Sequence, residues 1–71
     1  MGKARKQTFG DLLCELRTAR GLTWGALAER CDFHYDTIRK LERGDREPSL
    51  RLAKVLARVL GITLDELAAP L

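Results

Sequence analysis

The chain has 71 residues, 45% hydrophobic and 32% charged, with a net charge of +3. That length leaves room for one domain, and that composition excludes a disordered chain. Only 6% of the residues are aromatic, and an apolar set dominated by Leu and Ala favours helices packed on helices over a β-sandwich.

Residues 1–7 (MGKARKQ) are polar and basic without periodicity, and read as a flexible basic arm ahead of a domain over 8–69. Phe9, Leu12, Leu13, Leu16 and Ala19 then recur at spacings of three and four, one face of a first helix. Thr8 is its expected N-cap, and Gly21 stops it. Thr23 caps a second segment ending near Cys31, with Leu27, Ala28 and Cys31 on its apolar side. Asp32 and Phe33 form a very short connection, which makes the flanking helices cross steeply. Asp tolerates the left-handed backbone such a turn needs. The third segment runs from about His34 to Arg43, turns Ile38 and Leu41 inward, and ends at Gly44. After a polar loop and Pro48, Ser49 caps a fourth helix to Leu60, with Leu50, Ala53, Leu56, Ala57 and Leu60 expected inside. Gly61 stops it, and Thr63 caps a last short helix over Leu64 to Ala68. The expected architecture is all-α: a compact five-helix bundle with a helix-turn-helix formed by helices two and three.

The remaining chemistry is mostly exclusion. Cys14 and Cys31 form no CxxC pair and His34 is the only histidine, so no metal site and no cofactor are expected. Two free thiols suit the cytoplasm. There is no apolar run of membrane-spanning length and no signal-peptide pattern. No nucleophile–base pair, carboxylate pair or phosphate loop is visible, so an enzyme is not expected, nor a small-molecule ligand. The pI of about 9.2 tilts the choice of partner toward a polyanion.

The runs ELRTARGLT, LAERC, TIRKLERGDREPSL and VLGITLDEL occur in this order and together span most of the chain from Phe9 to Leu67. In these runs the sequence resembles the lambda-repressor-like, or XRE-type, helix-turn-helix domain. The resemblance implies a five-helix fold that binds operator DNA, usually as a dimer, and an internal ion pair between Arg17 and Glu42. It also implies that helix three enters the major groove. The base-contacting positions carried over are His34, Tyr35, Asp36 and Lys40, with Arg39 beside them. Phosphate contacts are expected from Thr23, Trp24, Arg43 and Arg46.

The chemistry of that face is mixed. Lys40 can donate to guanine O6 and N7, and Asp36 can accept from a cytosine amine. Asp36 also repels a polyanion unless it is paired, which leaves two readings open: sharper specificity or weakened DNA binding. Trp24 stands where family members often carry Gln. It is open as a phosphate donor, as a packing partner of Tyr35 or the arm, or as part of a protein-binding surface.

Helix four has more apolar surface than one small core needs. Leu52, Val55 and Val59 form a second stripe which, with Leu64, is expected to make a homodimer interface. The leading expectation is a sequence-specific transcriptional regulator, a repressor or controller-type protein, reading a near-palindromic operator in double-stranded DNA. The alternative is a protein-interaction module or antitoxin-type partner that keeps the fold with weak or no DNA binding.

Overall fold

The computed structural model describes residues 7–71 and contains five helices: α1 (Phe9–Ala19), α2 (Trp24–Cys31), α3 (Tyr35–Arg43), α4 (Leu50–Leu60) and α5 (Leu64–Ala68). Of the arm expected over residues 1–7, residues 1–6 lie outside the described residues. Gln7 donates from its side-chain amide to Glu15 Oε2 at 2.8 Å.

Each helix starts where a side chain satisfies one of the amide groups that the first turn leaves without a carbonyl. Thr8, Thr23, Ser49 and Thr63 accept from the backbone N–H of Asp11, Ala26, Leu52 and Glu66. His34 does the same for Asp36 through Nδ1 at 3.2 Å. Asp11 and Glu66 return the contact to their own caps, completing reciprocal capping boxes at α1 and α5. Left-handed caps end α2, α3 and α4, and Gly21 is left-handed just beyond the Arg20 cap of α1; Asp32 between α2 and α3 is the only described non-glycine among them, at φ 61°.

The core takes Phe9 and Leu13 from α1, Leu27 and Ala28 from α2, Ile38 and Leu41 from α3, a broad face of α4, and Leu67 from α5. α3 rests on both α1 and α2, while α4 meets α2 and α5. The crossing of α1 with α3 depends on Gly10, which is buried. A Cβ there would collide with the Glu42 carbonyl oxygen and lie 2.8 Å from that of Leu41. The two backbones therefore touch directly.

Two expectations for α4 change places. Leu50, expected inside, is 64% exposed, and Leu52, expected on the dimer stripe, is 1% exposed. Leu52 stands four residues before Leu56, so the two share one side of the helix. Leu50 is six residues before Leu56, about 120° round the axis at 3.6 residues per turn. Leu52 is therefore a core residue and unavailable to a partner. Val55, Val59 and Leu64 are partly buried against the core margin. Ala19, placed on the inward face of α1, is exposed.

Candidate nucleic-acid interface

The α2–α3 unit is fixed by its turn. Asp32 N–H donates to the Glu29 carbonyl at 3.2 Å and Phe33 N–H to that of Ala28 at 2.9 Å. The left-handed Asp32 reverses the chain, and only three residues separate the end of α2 from the start of α3. Ile38 and Leu41, both fully buried, seat α3 in the core. Asp36, Arg39, Lys40 and Arg43 occupy the opposite side by helical spacing.

Those outward residues are not independent charges. Asp36 Oδ1 accepts from Arg39 Nη2 at 2.6 Å and Nε at 3.0 Å, and Lys40 Nζ stands 3.2 Å from Oδ2. The Arg39 and Lys40 hydrogen bonds hold the Asp36 carboxyl below the usual carboxylate range. The Asp36 carboxylate is thus paired rather than a naked anion, and it holds two cations in a defined fan. The spacings i,i+3 and i,i+4 are the signal that identifies such a cluster from sequence. Tyr35 begins α3 and is 47% exposed. Its ring centre lies 4.9 Å from that of His34. Because His34 Nδ1 accepts a backbone N–H, Nε2 is the nitrogen left to donate outward.

Around this face, Thr23 caps α2, whose first turn carries no acid. Arg43 is an exposed residue whose Nε lies 3.4 Å from Asp45, and Arg46 is exposed in the loop. Trp24 departs from its expected place as a phosphate donor. Its indole N–H donates to Glu42 Oε1 at 3.1 Å, so the ring's only donor is already engaged.

Glu42 is the centre of a part-buried cage. Arg17 grips it with two parallel bonds, Nε to Oε2 at 2.6 Å and Nη2 to Oε1 at 3.1 Å. Arg17 Nη1 also donates to the Leu22 carbonyl at 2.8 Å, and its guanidinium carbon stands 5.7 Å from the Trp24 ring centre. The hydrogen bond to Glu42 outweighs burial and raises the Arg17 pKa further. One carboxylate thereby joins α1, the α1–α2 loop, the start of α2 and the end of α3. The Trp24 contact spans 18 residues, and no local sequence signal announces it.

The helix-turn-helix family model matches residues 15–67. The chain belongs to the helix-turn-helix family. The helix-turn-helix domain is 40% identical over 53 residues to an uncharacterised HTH-type transcriptional regulator of Archaeoglobus fulgidus, covering 75% of this chain and 76% of the relative. A second uncharacterised HTH-type transcriptional regulator, from Sinorhizobium fredii, is 32% identical over 65 residues, or 92% of this chain and 84% of the relative. Among solved structures, the restriction-modification controller protein C.AhdI of Aeromonas hydrophila superposes with a TM-score of 0.80 at 41% identity, covering 83% of this chain and 89% of that one.

Proposed function

We propose that this helix-turn-helix transcriptional regulator acts as a homodimer on near-palindromic double-stranded DNA, with α3 in the major groove of each half-site. One observation carries the reading: α3 is locked into the core by Ile38 and Leu41 while its far side presents the organised Asp36–Arg39–Lys40 fan. A rigid helix with an outward donor–acceptor set is what direct base readout requires.

In this reading Lys40 and Arg39 donate to guanine edges, and Asp36 accepts from a cytosine amine once a base competes for its cations. His34 donates through Nε2, and Tyr35 meets a thymine methyl or a phosphate. Thr23, Arg43 and Arg46 contact phosphates and set the register. Trp24 stays on Glu42 and acts behind the interface. Val55, Val59 and Leu64 supply the apolar part of the dimer contact. The likeness to a restriction-modification controller supports a controller-type role, carried out without a cofactor or an enzymatic step. We place the protein in the cytoplasm with its DNA. Among the described residues no helix is long and apolar enough to cross a membrane.

Binding to random duplex DNA across a salt series tests the reading, followed by selection of bound sites from a random pool. The expected result is a linear fall of log affinity with log salt and a near-palindromic selected site. Affinity that is absent at low salt would sink the proposal and favour a protein-binding adaptor.

A further inference from the structure

A second charged feature lies away from the outer face of α3. Between the last turn of α2 and α4 is a cleft of about 390 Å³, lined by Arg30, Arg51 and Arg58 together with Phe33 and Val55. Three arginines elsewhere in the molecule have carboxylates, Arg17 with Glu42, Arg39 with Asp36 and Arg43 with Asp45, whereas Arg20 donates to the Leu16 carbonyl and Arg46 has no carboxylate among the described residues. The three cleft arginines are exposed, and among the described residues none has a carboxylate within ion-pair distance. Asp32 is the one acid lining the cleft, so arginines outnumber acids three to one there.

The complementary group is on the same chain. Asp65, in the first turn of α5, is exposed and has no cation partner among the described residues. Its neighbour Glu66 differs, because that carboxylate accepts from Thr63 N–H at 2.9 Å and stands 3.1 Å from the Thr63 hydroxyl. Asp65 directly follows Leu64. Leu64, Val55 and Val59 all line the margin of the core, and Val55 is also a wall of the cleft. A cleft with excess positive charge, a free carboxylate and a shared apolar margin carry the charges that a two-fold contact needs, since each contact there is made twice.

We infer that the arginine cleft between α2 and α4 receives the Asp65 carboxylate of a second copy of this chain. The inference rests on the homodimer reading above and adds the charge contact that sets its orientation. Bidentate geometry suits guanidinium to a carboxylate. Because Asp32 and Phe33 form the turn that seats α3, a partner held there also fixes the separation of the two reading helices.

The test is sedimentation equilibrium without DNA, with helix content checked by circular dichroism. The parent chain associates, and its association weakens as salt rises. Asp65→Arg sets like charges together and raises the dimer dissociation constant by about tenfold or more. Exchanging the charges in full, with Arg30→Glu, Arg51→Glu, Arg58→Glu and Asp65→Arg combined, restores association close to that of the parent. If Asp65→Arg associates like the parent while Val55→Glu gives a monomer, the interface is the apolar margin alone and this inference is overturned. A parent that stays monomeric at every concentration overturns the homodimer reading and this inference with it.

Discussion

Two acid–arginine pairs involve α3, and they share a contact length of 2.6 Å. Their surroundings differ. Arg17 and Glu42 keep 13% and 7% of their side-chain surface in solvent, whereas Arg39 and Asp36 keep 30% and 33%. Glu42 also takes the Trp24 indole, and Arg17 also holds a backbone carbonyl. Asp36 shares its second oxygen with the half-exposed head of Lys40. Identical chemistry thus serves two ends: largely shielded from water, the pair is a fixed joint between helices, and with water admitted it is exchangeable and free to trade its partners. Burial decides which, because an uncompensated charge is costly only where water cannot reach it.

The largest effect breaks the buried joint. Glu42→Ala strands the Arg17 guanidinium and the Trp24 N–H, with an expected loss of about 3 kcal/mol read from urea unfolding. Small domains have ~5–15 kcal/mol in total, so this variant sits near the edge of folding. Replacing both partners, with Arg17→Met and Glu42→Leu together, should recover part of that loss, which separates the cost of a stranded charge from the worth of the pair. Trp24→Phe keeps the ring and removes its N–H. One hydrogen bond to a charged acceptor is lost, about 1.5 kcal/mol by the same measurement.

The exposed side should leave unfolding almost unchanged and alter DNA binding instead. Lys40→Ala shifts base preference at one position of the selected site by about 1–3 kcal/mol, with unfolding within about 0.5 kcal/mol of the parent. Arg43→Ala weakens all sites alike and lowers the slope of log affinity against log salt by about one. The smallest expected effect is in acid. The folded pKa of Asp36 is lowered by its Arg39 and Lys40 bonds, and that of Glu66 by its Thr63 contacts. Each contributes stability above the unfolded carboxylate pKa, and that contribution is lost as pH falls through the folded one. Thermal midpoints should therefore decline below about pH 4, and less steeply in Asp36→Asn.

The local signals were legible before any coordinates. Thr8, Thr23, Ser49 and Thr63 mark helix starts because a cap depends only on the next three residues. Gly44 and Gly61 mark ends for similarly local reasons. The inward side of α4 was harder, since Leu50, Leu52, Val55 and Val59 surround the axis and periodicity alone selects no single face. The role of Gly10 was hidden for another reason: its need for a missing side chain arises from Glu42, which lies far along the chain. The same holds for Trp24, whose partner is set by how α2 meets α3. Within the α3 surface, the residue types were readable, and their mutual bonding followed only from a helix already in place.

Gly10 has one further consequence. With backbone laid on backbone at that crossing, α3 has no compressible cushion beneath it, so a single methyl added to α1 acts as a shim. It tilts or lifts the outer face of α3 without touching any side chain of that face. Position 10 is thus a remote steric handle on the setting of α3 and, under the proposed function, a natural place to seek temperature-sensitive alleles whose outward α3 side chains are all intact.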